Sequence, residues 1–148
     1  MINMITKILK AVTVIIPLFI IASFLLSGCS SKNEEMGIGP VKEVKLGPID
    51  KQLVDKGQQT FNTKCSACHK LDSKLVGPPL KDVTKRRKPE WIMNMILNPQ
   101  QMTQENKIAK ELFATYLVQM TFQDVTQDDA RAILEYFRNN DQSPQSMK

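Results

Sequence analysis

Three residues able to bind a metal or react with a cofactor sit together in the run FNTKCSACHKLD: Cys65, Cys68 and His69, the single histidine of the chain. Cys-x-x-Cys-His is the attachment signature for c-type haem. Two thiols separated by two residues can add across the vinyl groups of a porphyrin, and the adjacent histidine then ligates iron from the proximal face. Three other readings compete. A structural zinc site needs four ligands, and there is no second Cys-x-x-Cys to complete one. A Cys65–Cys68 disulfide suits an oxidising compartment, as in a thioredoxin-like redox pair, but that motif belongs to a βαβ setting. Chance would have to bring all three rare residues into register. The spacing favours haem attachment.

Cys29 has a different setting. Lys7 and Lys10 precede Ala11 to Leu26, sixteen residues without a charge, the pattern of a secretory signal segment. Leu26-Ser27-Gly28-Cys29 then resembles the lipobox of bacterial lipoproteins, in which the chain is cut before the cysteine and that cysteine receives lipid. The alternative is an uncleaved anchor, because the apolar stretch is nearly long enough to span a bilayer. Both readings put the globular part outside the cytoplasm, in the cell envelope facing the periplasm, and tie it to a membrane. Loss of residues 1–28 removes Lys7 and Lys10 and lowers the formal charge from +5 to +3. So small a charge on an exported chain argues against nucleic acid as a partner.

The elements that must position Cys65, Cys68 and His69 come next. Hydrophobic residues make up 42% of the 148-residue chain and charged residues 24%, which suits one soluble domain with an attachment. Residues 29–49 carry three glycines, two prolines and scattered charge without periodicity, and are expected to form a lipidated flexible tether. A domain over 50–140 follows, with four helical signals. Asp50 is placed to cap a helix with Leu53, Val54, Gly57 and Phe61 on one side. Pro89 suits the first turn of a second, with Trp91, Ile92, Met95 and Ile96 apolar, closed by Asn98-Pro99. Thr103 is expected to cap a third, in which Ile108, Leu112 and Tyr116 repeat. Thr126 with Asp129 reads as a capping box opening a fourth, which buries Ala130, Ile133, Leu134 and Phe137. No stretch alternates well enough for a strand. Residues 141–148 are expected to be a disordered tail. A small all-α domain with a loop-rich stretch between Leu71 and Lys88 needs something to fill that gap.

Together, FNTKCSACHK, Leu75-Val76-Gly77-Pro78-Pro79-Leu80 and the closing Ile133-Leu134-Glu135-Tyr136-Phe137 resemble the small monohaem class I cytochromes c over about residues 50–140. The resemblance implies an all-α fold of about four helices around one covalently bound haem c, and electron carriage in place of enzymatic bond chemistry. It implies that the first helix, at Gly57 and Phe61, crosses the last near Leu134 and Tyr136. It also implies that the Pro78 carbonyl accepts a hydrogen bond from His69 and that Leu80 packs on the haem face.

A second histidine cannot complete the iron, so a methionine is expected. Of eight methionines, Met1 and Met4 leave with the signal, Met36 lies in the tether and Met147 in the tail. Met93 and Met95 sit on an apolar helix face, where methionine is more often core filler. Met120 and Met102 remain. The family places its ligand in a loop ahead of the last helix, which favours Met120, although Thr121 stands where proline often follows. Lys81, Lys85, Arg86, Arg87 and Lys88 form a basic run that is solvated, pairs with haem propionates, or steers an acidic partner. The Trp91 indole either donates to a propionate or packs in the core.

The expectation is a membrane-tethered, six-coordinate electron carrier whose partners are a quinol oxidoreductase and a terminal reductase or oxidase. A haem-based ligand sensor, or a structural haem subunit of a larger oxidase or reductase complex, is the alternative.

Overall fold

The structure is a computed structural model that describes residues 34–143. The signal segment, Cys29 and residues 144–148, Met147 among them, lie outside the described residues. Six α-helices follow a helical turn at 34–36: α1 (Lys51–Lys64), α2 (Val83–Arg86), α3 (Pro89–Leu97), α4 (Pro99–Glu105), α5 (Lys107–Tyr116) and α6 (Gln127–Gln142). There is no strand among the described residues. None of the described helices is long and apolar enough to cross a membrane.

Helix α1 starts where Asp50 accepts the backbone N–H of Gln52 (2.9 Å) and of Leu53 (3.3 Å), satisfying donors that the first turn leaves free. Helix α6 opens on the expected capping box, with Thr126 and Asp129 each accepting the other's backbone N–H. The two helices cross at Gly57. A Cβ there would lie 2.0 Å from the carbonyl oxygen of Ala132, so only glycine lets the backbones meet. Beside this contact the rings of Phe61, Tyr136 and Phe137 pack at centroid distances of 5.6 to 5.9 Å.

The expected third helix is divided. Asn98 and Pro99 end α3 and also start α4, because Pro at the first helical position gives up no hydrogen bond. Thr103 therefore lies inside α4 and caps nothing. The cap of α5 is Asn106, whose Oδ1 accepts the N–H of Ala109 at 3.1 Å. At the other end, Asp141 and Gln142, expected in a disordered tail, belong to α6. Asp141 is buried and takes the N–H of Asp82 (2.7 Å) and of Thr84 (3.0 Å), tying down the start of α2.

Residues 34–49, expected as tether, form a packed strap. Val41 is 2% exposed and joins the core. Its N–H reaches Oδ1 of Asn94 at 3.0 Å, and Nδ2 of Asn94 returns to the carbonyls of Val41 (2.9 Å) and Met36 (3.0 Å). Asn98 holds the Ile38 carbonyl at 3.2 Å, Asn106 that of Glu34 at 2.9 Å, and Arg138 that of Gly47 at 2.9 Å. The strap lacks periodicity because its backbone pairs with the side-chain amides of Asn94 in α3 and of the cap residues Asn98 and Asn106 instead of with a helix or sheet. Gly39 fits because a Cβ there would meet Asn94 Oδ1 at 2.4 Å.

Glu135 is fully buried in α6, and accepts from Arg131, from Arg138 (2.8 Å) and from the N–H of Asp50 (3.1 Å). Burial alone would raise its carboxyl, but those donors hold it below the ordinary range. The start of α1 is thereby fixed to the middle of α6.

Candidate functional site

The end of α1 carries Phe61 and Lys64 and leads directly into Cys65. The chain then turns tightly: the N–H groups of Cys68 and His69 both bond the Cys65 carbonyl, at 3.1 and 2.9 Å. This turn brings the two thiols and the imidazole to the rim of one cleft. Gly77 closes the other side of the loop, its N–H bonding the Cys68 carbonyl at 2.9 Å. His69 Nδ1 lies 3.1 Å from the carbonyl oxygen of Pro78, the contact that the family resemblance implies. With its proton on Nδ1, the ring leaves Nε2 as the free lone pair. Burial lowers the His69 pKa, favouring the neutral form that a metal ligand requires. Burial likewise pushes the Cys65 thiol up, with Cys68 adding to it.

The cleft has a volume of about 370 Å³. One wall is Val76, Gly77, Pro78 and Leu80, and another is Ile92 and Met95 from α3 with Leu112 from α5. Met120, half-buried on the segment between α5 and α6, also lines it. Cys65, Cys68, His69, Pro78, Leu80 and Met120 are thus brought together. Met102 is not. It is fully buried, and its Sδ accepts the strap N–H of Ile38 at 3.0 Å. Met95 does reach the cleft, but as part of the apolar packing of α3 against the core.

These residues fit a haem. The cleft is walled mainly by apolar side chains, two thiols with two residues between them stand at its rim, and an imidazole with Nδ1 engaged faces it. Gly77 keeps this arrangement open, since a Cβ there would lie 2.4 Å from Cε1 of His69. The zinc alternative finds no support: among the described residues no group of three His, Cys, Asp or Glu is placed to hold a metal ion.

The basic run is largely committed. Lys81 faces Asp72 at 3.8 Å, Lys85 meets Asp82 at 2.7 Å and Lys88 meets Glu35 of the strap at 2.5 Å. Arg86 and Arg87 line the cleft, and Arg87 lies 5.4 Å above the ring of Trp91. Trp91 itself takes the packing role: its buried Nε1–H goes to Asn106 Oδ1 at 3.1 Å, which leaves nothing for a propionate.

The family model for cytochrome c matches residues 54–141. The chain belongs to the cytochrome c family. Members bind haem c covalently and use it to transfer electrons, and their usual setting is the periplasm or cell envelope. A cytochrome c from Rhodothermus marinus is 49% identical, with a TM-score of 0.69 over 73% of this chain and 92% of that one. An engineered form of that cytochrome c, bound to a carbene intermediate, is 47% identical, with a TM-score of 0.67 over 74% and 95% of the two chains. Cytochrome c-551 of Azotobacter vinelandii is 48% identical over 33 residues, which span 22% of this chain and 40% of that protein.

Sequence reasoning passed over Asn94, Asn106 and Gln119, and gave Thr103 a capping role in place of its bond to Gln119. One signal pointed to the first: a polar residue inside WIMNMI on an apolar helix must find buried partners. Gln119 carries no such mark, because its partners depend on how α4 and the Met120 segment come together.

Proposed function

We propose that this protein is a membrane-tethered monohaem cytochrome c that carries single electrons between respiratory redox partners and performs no bond chemistry of its own. Haem supplies the redox step, its iron gaining and losing one electron. Cys65 and Cys68 would hold it through thioether bonds, His69 would ligate from the proximal side and Met120 from the distal side. Pro78 orients the imidazole, and Leu80 with the other apolar walls would keep water from a bound haem. Lipid on Cys29 would confine the carrier to a membrane surface, where a quinol oxidoreductase and a terminal reductase or oxidase would be its partners.

The observation that carries the His/Met reading is that Met120 lines the cleft of His69, whereas Met102 is buried against the strap. A thioether partner favours the ferrous state and resists exogenous ligands. The reduced holoprotein is expected to give a c-type spectrum and to bind carbon monoxide slowly. Met120→Ala should turn it into a rapid binder, while Met95→Leu and Met102→Leu should not. Rapid binding by the unmodified protein would instead favour the ligand-sensor alternative.

A further inference from the structure

The segment that carries Met120 has an unusual attachment. Among the described residues, no backbone-to-backbone hydrogen bond involves positions 118–125; the last before it is Leu117 N–H to the Phe113 carbonyl. Leu117 and Asp124 adopt left-handed conformations that non-glycine residues seldom take, at φ values of 55° and 52°. Leu117 is 79% exposed and Val118 is 47% exposed, so little apolar burial holds the first half.

Side chains do the holding. Gln119 is the bracket: its Oε1 receives the hydroxyl of Thr103 at 2.8 Å, and its Nε2 donates to the carbonyl of Met120 at 2.9 Å. Thr103 is buried in α4, a helix itself pinned by Met102 and the strap. The far end is held separately, by Lys64 Nζ on the carbonyls of Gln123 (3.2 Å) and Asp124 (3.4 Å). The hydroxyl of Thr103 also faces the carbonyls of Pro99 (3.0 Å) and Gln100 (2.9 Å), and with one proton to give it lies nearest to Gln119.

We propose that Thr103 and Gln119 form a latch that positions the distal ligand. Thr103 fixes the Gln119 amide, the amide fixes the backbone of Met120, and the thioether is thereby held at the cleft. Neither residue touches the iron; both are positioning residues. The inference rests on the reading of Met120 as the distal ligand and deepens it. Without the latch the segment samples open conformations in which Met120 leaves the iron, and exogenous ligands gain access at the rate set by that open fraction.

The test uses the holoprotein and two readouts that loss of stability alone would not move together: carbon monoxide uptake by the ferrous form and the thioether-to-iron charge-transfer band of the ferric form. Gln119→Leu alters only an exposed residue, removes both of its side-chain hydrogen bonds, and is expected to speed uptake at least about fivefold, the weight of one net hydrogen bond, and to weaken the band. Thr103→Val should do the same, Thr103→Ser should restore the native values, and the double variant should be no faster than either single one. Uptake and band unchanged in Gln119→Leu would overturn the latch. Met120→Ala separates the two ideas. If that variant keeps the band, the ligand assignment falls and the latch with it. If it loses the band while the latch variants behave like the native protein, only the latch falls.

Discussion

At the scale of single residues, the site depends on an absent side chain. Gly77 sits against the edge of the proximal imidazole, and a Cβ would lie 2.4 Å from Cε1, 2.9 Å from Nδ1 and 3.0 Å from Nε2 of His69. No rotamer choice relieves this, because the clash is with a ring held by the next residue's carbonyl. Gly77→Ala is therefore expected to turn the ring and break the Nδ1–Pro78 bond. A histidine that loses its acceptor becomes a weaker donor to iron and stabilises the ferric state less. The holoprotein should lose about 1–3 kcal/mol of stability and its reduction potential should rise, measured by denaturant titration and by potentiometry. An unchanged potential would mean that Pro78 does not tune the ligand. This part of the site was legible in the chain, since CSACH is a local motif whose spacing states its chemistry. Pro78 and Leu80 were legible only through the family resemblance, because a Gly-Pro-Pro turn by itself specifies no partner.

At the scale of elements, the last helix is held at its start by charge. The carboxyl of Asp129 is depressed to about 2, first by Lys56 from α1 and then by Thr126 in the capping box. The folded value lies below the ordinary 3.8, so the stabilisation is fully present above about pH 4 and is lost as pH falls through 2. The ion pair is exposed, so solvent screening leaves it little weight, and about 1 kcal/mol is expected for the capping box. Asp129→Ala should cost that amount near neutral pH and lose most of that cost only below pH 2. A difference that stays constant across this range would assign the effect to packing. Caps and amphipathic faces of this kind are written within four residues of one another, which is why α1, α3 and α6 were readable. The separate helix α4 was not, because Asn98-Pro99 serves equally as a stop for α3 and as a start for α4, and the cap that divides α4 from α5 is Asn106.

At the scale of the whole molecule, the strap is the part that sequence hid. Its partners stand 46 to 91 residues further along the chain, in pairs such as Val44 with Glu90, Val41 with Asn94 and Gly47 with Arg138, and no local pattern announces them. Asn94 is the centre, with three bonds to strap backbone and no exposure to solvent. Asn94→Ala leaves the N–H of Val41, and the carbonyls of Val41 and Met36, without their partner. A loss of about 3 kcal/mol is expected, with hydrogen-exchange protection falling first at Val41 while α1 and α6 keep theirs. Uniform loss of protection would show the strap and the helices to be one cooperative unit. The same long separations have a consequence in time. Synthesis releases the chain from its N-terminus, so the strap emerges first but cannot close until Asn94, Asn98 and Asn106 have followed. Cys65, Cys68 and His69 emerge between these two events, and α1 still lacks α6 when they do. The thiols are thus presented on a chain whose strap is still open.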